Sequence, residues 1–177
     1  SGLLEIIPKK FGDDRGFFSE TYSRRAFAEA GLDIGWVQDN QSYSAEPGVL
    51  RGLHFQLAPF AQDKLIRVLR GAIFDVAVDL RQGSPSYGKW VSCMLSAKAW
   101  NQFLVPKGFA HGFMTLEPDV EVFYKVSAPY SPEHDRGIRW NDPALGIDWP
   151  LHGRQPILSG KDAAAPLLAD IASEIRF

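Results

Sequence analysis

The chain has 177 residues, a hydrophobic content of 45% and a formal net charge of −2 at pH 7. This composition is that of an ordinary globular protein, and it excludes a strongly basic surface that would attract nucleic acid or an anionic membrane. No apolar run approaches the ~20 residues of a membrane-spanning helix, and the first residues lack a signal-peptide pattern. The single cysteine, Cys93, predicts no internal disulfide and is compatible with a reducing compartment, so we expect a cytoplasmic protein.

The predicted elements are mostly short strands. The first predicted element, however, is a helix from Ser23 to Ala30, with Ser23 as N-cap and Gly31 at its C-terminal end. Three later segments are predicted as half-buried strands. Segments 74–80 and 120–126 alternate apolar and polar residues with a period of two, whereas segment 64–70 has two mixed faces, with Lys64 on the same face as Ile66 and Val68. A second short helix is predicted after Pro166. Many short strands separated by Gly, Pro and Asp turns predict an all-β antiparallel sandwich or barrel, and we expect a single domain over residues 1–177.

Two of the four histidines lie in distinctive settings. His54 is predicted to share one strand face with three other residues: Leu50, Gly52 and Gln56. His111 ends the turn Pro-Lys-Gly-Phe-Ala-His at 106–111. A Pro-x-Gly-x-x-His turn resembles the second conserved motif of the cupin superfamily, whose members are small double-sheet barrels with an internal site.

Many cupins bind a metal, so a metal site has to be considered. The first cupin motif usually supplies two histidines one residue apart and then a glutamate. Here the second position is Gln56, and the stretch that follows contains Asp63 but no glutamate. A 2-His-1-carboxylate centre needs three converging ligands, and His54 and His111 have no evident third partner. We therefore predict no metal, and a metal-dependent cupin such as an oxygenase stays as an alternative.

A longer set of motifs runs in order along nearly the whole chain. These motifs are FGDDRGFF at 11–18, VQDN at 37–40, LRGLHFQ at 50–56, KLIR at 64–67, GAIFDVAVDLR at 71–81, GFAHGF at 108–113, YK at 124–125, WNDP at 140–143 and LSGKD at 158–162. Together they resemble the dTDP-4-dehydrorhamnose 3,5-epimerase family. The resemblance implies a cupin-type double-stranded β-helix (jelly roll) barrel with a few short helices. It also implies a homodimer whose N-terminal strands cross to the partner.

The reaction implied is epimerisation of dTDP-4-dehydro-6-deoxy-D-glucose at C3 and C5 to dTDP-4-dehydro-L-rhamnose. Inversion beside a ketone needs a base, a stabiliser of the enolate oxygen and an acid on the opposite face. It needs no cofactor, because the ketone itself acidifies the neighbouring carbons. His54 suits the base, since a neutral imidazole titrates near ~6.5. Tyr124, on a strand face that otherwise carries valine, suits the acid, and Lys64, which shares a face with Ile66 and Val68, suits the enolate stabiliser.

The remaining site residues rest on the resemblance. Asp162 is expected to pair with His54. The expected substrate-binding residues are Arg15 and Arg51 for the diphosphate, Glu20, Gln38 and Asn40 for nucleotide and sugar, Tyr130 near the base, and His111, Asp135 and Lys161 as further polar contacts. Guanidinium groups suit phosphate because they bind it bidentately. Asp135 stands where the family more often has glutamate. The alternatives are an epimerase of C3 alone or C5 alone, and a non-catalytic sugar-nucleotide-binding barrel.

Overall fold

The computed structural model describes residues 2–177, so Ser1, the first residue of the predicted domain, lies outside the described residues. Within residues 2–177 the chain forms twelve strands and three short helices. The strands are β1 (Leu4–Ile6), β2 (Phe11–Asp13), β3 (Gly16–Phe18), β4 (Gln38–Ser44), β5 (Leu50–Gln56), β6 (Lys64–Arg70), β7 (Ala72–Asp79), β8 (Trp90–Ser96), β9 (Gln102–Val105), β10 (Phe109–Thr115), β11 (Val120–Val126) and β12 (Asp135–Gly137). The helices are α1 (Arg24–Glu29), α2 (Gly160–Ala163) and α3 (Leu168–Ile171).

Ten of these strands form two five-stranded antiparallel sheets. The first sheet has the order β1-β9-β6-β11-β4, and the second has the order β12-β5-β10-β7-β8. Strands β2 and β3 form a separate hairpin. Strands that are distant in sequence are neighbours in both sheets, as in a jelly roll. The predicted all-β fold is therefore confirmed.

One core cluster fills the space between the two sheets. It contains Ile66 and Val68 of β6 and Val122 of β11 from the first sheet, together with Ala77 of β7 and Phe113 of β10 from the second. Because side chains alternate along a strand, Lys64 and Tyr124 continue the inward rows of β6 and β11. The predicted faces of these two strands are confirmed, and both rows lead from the apolar core into the site described below.

A second core cluster covers the outer face of the second sheet. Leu53, Val76 and Val78 of that sheet pack there against residues of the C-terminal third of the chain, including Trp149 and Ile175. Both Val76 and Ile175 are fully buried. This packing fixes the C-terminal segment against the sheet, and it thereby holds α2 beside β5.

The predicted face of β5 is wrong at the start of the strand. His54 pairs with His111, but Arg51 pairs with Phe113, so two residues of β5 lie opposite one residue of β10. This β-bulge shifts the alternation by one position. Leu50 consequently packs in the outer core, whereas Arg51 joins His54 on the inner side.

Two glycines permit the bulge. Gly52 has φ +121°, a conformation that side chains other than glycine rarely adopt. A Cβ at Gly52 would lie 2.6 Å from the Cα of Gly112, and a Cβ at Gly112 would lie 2.8 Å from the carbonyl oxygen of Arg51. The two backbones can therefore approach only because both positions are glycine.

The helices are short. The Ser23 hydroxyl accepts a hydrogen bond from the Ala26 N–H at 3.4 Å, and Gly31 has φ +81°, so both predicted ends of α1 are confirmed. α3 follows Pro166 as predicted, whereas α2 was not predicted from the sequence. None of the helices in the described part of the chain has the length and apolar character needed to cross a membrane.

Candidate active site

Two adjoining chambers open between the sheets. We call them the Tyr130 chamber, of about 370 Å³, and the His111 chamber, of about 250 Å³. Volumes of a few hundred cubic ångströms are typical of ligand pockets. Both chambers are lined by the same four functional side chains: His54, Lys64, Tyr124 and Lys161. The predicted base, enolate stabiliser and acid thus project from three different strands into one connected space.

Most of the other predicted site residues line the same space. The Tyr130 chamber adds Gln38, Asn40, Tyr130 and Asp135. The His111 chamber adds Arg51, His111 and Asp162. The sequence analysis did not select several further lining residues: Ser42, Phe55, Gln56, Gln62, Phe113 and Ser159.

The His54 imidazole forms a hydrogen-bonding contact with the Asp162 carboxylate, with 2.5 Å between Nε2 and Oδ1. The Asp162 carboxylate also accepts a hydrogen bond from the Ser159 hydroxyl at 2.8 Å, and Ser159 caps α2 by accepting from the Asp162 N–H. Burial raises the pKa of Asp162, but the hydrogen bonds from His54 and Ser159 leave it below its ordinary value. The carboxylate therefore stays ionised, and an Nε2–H donated to it leaves the lone pair of the neutral imidazole on Nδ1.

His111 forms a second imidazole–carboxylate pair. Its Nε2 lies 2.9 and 3.0 Å from the two carboxylate oxygens of Asp75, on the neighbouring strand β7. Burial raises the pKa of Asp75, and the opposing effects of His111 and Lys64 do not cancel this rise. Asp75 was not selected from the sequence. The sequence feature that could have identified Asp75 is an acidic residue in the middle of a largely apolar strand, which the structure shows to be buried.

Lys64 is a buried cation. Its residue is 8% exposed, and its Nζ donates to the carbonyl oxygen of His54 at 3.4 Å. Burial lowers the pKa of Lys64 to about 8, even though the carboxylates of Asp135 and Asp75 favour the charged form. Its ammonium group therefore faces the cavity with few hydrogen bonds, which leaves it available to an anionic group of a ligand.

Tyr124 lies on the first sheet, across the cavity from the second sheet that carries His54. Its ring is half-buried beside the Val122 layer. Burial raises the pKa of the phenol, and the charge of Arg51 opposes this effect only in part. The hydroxyl is therefore protonated at neutral pH and can donate a proton.

Strand β4 contributes a row of inward polar side chains to the cavity, namely Gln38, Asn40 and Ser42. Next to this row, the guanidinium of Arg51 donates to the Ser44 hydroxyl at 3.2 and 3.3 Å and to the Tyr43 carbonyl at 3.0 Å. The Ser42 hydroxyl is buried and has no hydrogen-bond partner within residues 2–177. A polar row of this kind suits a hydrophilic ligand, since a buried hydroxyl without a partner is unfavourable.

The mouth of the Tyr130 chamber carries a small polar cluster. Asp135 accepts hydrogen bonds from the Tyr130 hydroxyl, at 3.1 Å, and from the Lys161 ammonium. The Tyr130 residue is 57% exposed. The nearby negative charge of Asp135 and its hydrogen bond raise the pKa of the Tyr130 phenol.

Arg15 and Glu20 differ from the other predicted site residues, because neither lines either chamber. Arg15 lies in the turn between β2 and β3, its side chain is 90% exposed, and its guanidinium pairs with Asp13 at 2.6 Å. The β2–β3 hairpin is exposed along its whole length.

Each inward histidine uses its Nε2 to contact a carboxylate. Among residues 2–177, moreover, no three His, Cys, Asp or Glu side chains are grouped closely enough to hold a metal ion. The donor set at His54 and His111 is thus two separate imidazole–carboxylate pairs, which differs from the facial triad of an iron centre.

Comparison with known proteins identifies the family. Residues 1–170 match the family model described as dTDP-4-dehydrorhamnose 3,5-epimerase. The chain belongs to the dTDP-4-dehydrorhamnose 3,5-epimerase family. It is 56% identical over 172 residues to the dTDP-4-dehydrorhamnose 3,5-epimerase of Sinorhizobium fredii, which covers 97% of this chain and 88% of the relative.

Solved structures of epimerases agree with this assignment. The Bacillus anthracis dTDP-4-dehydrorhamnose 3,5-epimerase, with TDP and PPi bound, is 54% identical, with a TM-score of 0.91 over 94% of each chain. The Legionella pneumophila dTDP-6-deoxy-D-glucose-3,5-epimerase, in complex with dTDP-4-keto-L-rhamnose, is 48% identical, with a TM-score of 0.93 over 99% of this chain and 94% of that one. The expected cupin-type fold is confirmed by these neighbours.

Proposed function

We propose that this epimerase converts dTDP-4-dehydro-6-deoxy-D-glucose to dTDP-4-dehydro-L-rhamnose by inverting C3 and C5. The observation that carries the proposal is one cavity lined by an imidazole–carboxylate pair, a buried ammonium and a neutral phenol. Similarity to the Legionella pneumophila epimerase, which binds dTDP-4-keto-L-rhamnose, supports the same ligand class here.

His54 removes the proton from the carbon beside the ketone. Its Nδ1 carries the lone pair, and the imidazolium that forms is stabilised by the ionised Asp162 at 2.5 Å. A positioned general base typically contributes a factor of about 10²–10⁴ to the rate. The carbon–hydrogen electron pair moves into the ring, and the ketone oxygen becomes an enolate oxygen.

Lys64 stabilises that enolate oxygen, and Tyr124 returns a proton to the opposite face of the carbon. The partly desolvated ammonium of Lys64 interacts more strongly with a developing oxyanion than a hydrated one would. After each inversion His54 holds one extra proton and Tyr124 lacks one, so exchange with solvent resets both groups. Because the ketone supplies the acidity, we propose that no cofactor takes part.

The nucleotide diphosphate binds through cationic and amide side chains around the same cavity. Arg51 is held by Ser44 and Tyr43 with its guanidinium beside the His111 chamber. Gln38 and Asn40 supply amide groups to the Tyr130 chamber, and the exposed ring of Tyr130 offers a stacking surface for the base. Lys161, Asp135 and His111 are the further polar contacts of this proposal.

We also propose a homodimer in which the N-terminal strands cross to the partner, so that Arg15 and Glu20 reach the partner's cavity. The exposed β2–β3 hairpin supports this arrangement, because Phe11, Phe17 and Phe18 are each more than half exposed. Phe11 and Phe18 pair directly across the hairpin and so share one exposed apolar face, which is typical of an interface. A lone two-stranded hairpin, moreover, has little stability in water.

Complementation between two inactive variants tests the crossing. A purified heterodimer of one Arg15→Ala subunit and one His54→Asn subunit would contain one cavity with a native His54 and the partner's native Arg15. Crossing therefore predicts about half of the wild-type rate in the heterodimer, whereas both parent homodimers stay impaired. If Arg15 instead served its own chain's cavity, the heterodimer would be as inactive as its parents.

Two further expectations belong to the same proposal. We infer that residues 1–177 act as one catalytic domain, which the apolar cores linking both sheets to the C-terminal segment support. We also infer a cytoplasmic location, with which the unpaired thiol of Cys93 is compatible.

The direct test of the proposed function is proton exchange in deuterated water followed by NMR. The protein should incorporate deuterium at both C3 and C5 of the keto-sugar and accumulate the doubly inverted product. Exchange and inversion at one carbon alone would identify a single-carbon epimerase. Binding of dTDP without any exchange would identify a non-catalytic binding barrel and contradict the proposal.

A further inference from the structure

Gln56 occupies the position at which metal-binding cupins carry their second histidine, and here its side chain makes three hydrogen bonds. Gln56 is 4% exposed and borders the Tyr130 chamber. Its Nε2 donates to the carbonyl oxygens of Phe60, at 2.7 Å, and Pro129, at 3.1 Å. Its Oε1 accepts from the Ser131 N–H at 2.7 Å.

These bonds connect the chain just after β5 to the loop that carries Tyr130. A primary amide offers two N–H donors and a carbonyl acceptor. Gln56 uses both donors and the acceptor in its three hydrogen bonds. A neutral imidazole offers one donor and one acceptor, so histidine could not make the same three contacts. Gln56 thus holds the backbone of Phe60, Pro129 and Ser131 together, an arrangement we call the backbone clamp.

A second glutamine holds the same loop from the first sheet. The Oε1 of Gln38 accepts from the Tyr130 N–H at 3.1 Å. Gln62 adds a donor from the 57–63 loop to the Ala128 carbonyl at 2.8 Å. Residues 128, 129, 130 and 131 therefore each have one backbone group bound by a glutamine side chain.

The backbone clamp leaves the face of the Tyr130 ring exposed. The ring is held at one end by the fixed backbone and at the other by the hydroxyl bond to Asp135, yet the residue remains 57% exposed. A rigid aromatic that is already in place loses little conformational entropy when a planar ligand stacks on it.

We propose that Gln56 is a positioning residue for nucleotide recognition, which acts through the 129–131 backbone to hold the Tyr130 ring ready for the base. This inference rests on the proposed function, in which Tyr130 contacts the nucleotide. It assigns Gln56 to binding rather than to proton transfer, although Gln56 lies only two residues from His54.

A double-mutant cycle on dTDP affinity tests the inference. Gln56→Met keeps the side-chain length and removes all three hydrogen bonds, so the loop loses its fixed position. We expect the Kd for dTDP and the KM for the keto-sugar nucleotide to rise about tenfold, with kcat changed less than about threefold. Tyr130→Ala alone should also weaken dTDP binding. In the Tyr130→Ala background, Gln56→Met should add less than about twofold, because no ring remains to be positioned.

The cycle has distinct unfavourable outcomes. An equal effect of Gln56→Met with and without the Tyr130 ring would show that Gln56 acts by another route. A fall in kcat with unchanged Kd would assign it to the chemistry instead. If Gln56→Met does not fold, Gln62→Met, which removes only the Ala128 contact of a half-buried side chain, carries the same cycle with a smaller expected rise in Kd. The wild-type deuterium-exchange assay reports separately on the proposed function, so an active wild type without coupling would overturn the positioning role alone.

Discussion

The cavity contains two imidazole–carboxylate pairs that share their chemistry but differ in their surroundings. In the His54–Asp162 pair the imidazole side chain is 32% exposed to the cavity, and its carboxylate comes from a C-terminal helix. In the His111–Asp75 pair the imidazole is 8% exposed and the carboxylate is fully buried between neighbouring strands. The pKa of Asp162 is lowered, whereas burial raises the pKa of Asp75.

This difference favours the His54–Asp162 pair as the reactive one in the proposed mechanism. An imidazole that accepts a proton must reach the substrate and needs an ionised partner to stabilise the new charge. His54 meets both conditions. His111 has little exposed surface, and its partner is less readily ionised. This contrast supports the proposal that His54 is the base and that His111 is a polar contact of the ligand.

The largest expected effect tests the assignment of the base. His54→Asn should lower solvent-proton exchange at both carbons by about a thousandfold or more, because the general base is lost. The affinity for dTDP should stay within about a fewfold of wild type, since the nucleotide contacts remain. The measurements are deuterium incorporation by NMR and dTDP titration.

His152→Asn is the matched control for this substitution. His152 lies in a separate cleft beside Pro47 and Leu151, and its φ of +50° is one that asparagine tolerates. Near-wild-type exchange in His54→Asn would show that His54 is not the base. His111 would then be the next candidate, and the proposed difference in role between the two pairs would be wrong.

Lys64 lines the His111 chamber together with both histidines, and its replacement should have the next largest effect. One preorganised donor to a developing oxyanion is worth ~3–4 kcal/mol, so Lys64→Ala should lower kcat on the order of several hundredfold. Lys125→Ala is the control, because Lys125 also lies on a strand but pairs with Asp39 at the surface. A kcat for Lys64→Ala close to that of the control would exclude the enolate role.

Replacement of Tyr124 tests whether the returning proton comes from this phenol or from the His111 pair. Tyr124→Phe should still permit proton removal but should lower formation of the inverted product by about a hundredfold, because the returning proton is lost. Exchange and inversion are measured separately on the same NMR samples. Tyr43→Phe, on the exposed face of β4, is the control. Unimpaired inversion in Tyr124→Phe would make His111 the better candidate for the acid.

The sequence was sufficient to predict the faces of two strands, β6 and β11. Lys64 was placed correctly because it shares its face with Ile66 and Val68, and Tyr124 because the even positions of β11 otherwise carry valine. Leu50 was assigned to the wrong face of β5, because the bulge at Gly52 depends on contact with β10, which is distant in sequence.

Contacts between residues that are distant in sequence could likewise not be predicted from the local sequence pattern. The contact of His54 with Asp162 was expected only from family resemblance, since 108 residues separate them. Asp75 was not assigned to His111 because its partner lies on a neighbouring strand that the alternation of β7 does not specify. Nor does the sequence pattern of the hairpin reveal that Arg15 lies outside its own chain's cavity.

The smallest expected effect is the pH dependence of stability that Lys64 causes. As the pH rises, stability should increase while activity falls. The pKa of Lys64 is about 8 in the folded chain, against an ordinary value of 10.5. Between these values the unfolded chain binds more protons than the folded one, so the contribution of Lys64 to stability increases as the pH rises. Relative to Lys64→Met, wild type should gain about 2 kcal/mol of unfolding free energy between about pH 7 and about pH 9.5, as measured by urea denaturation. Activity should fall over the same range, because the neutral amine no longer stabilises the enolate. A stability difference that does not change with pH would mean that the Lys64 ammonium is hydrated in the folded chain. Lys64 would then lack the desolvation on which its proposed role as enolate stabiliser depends.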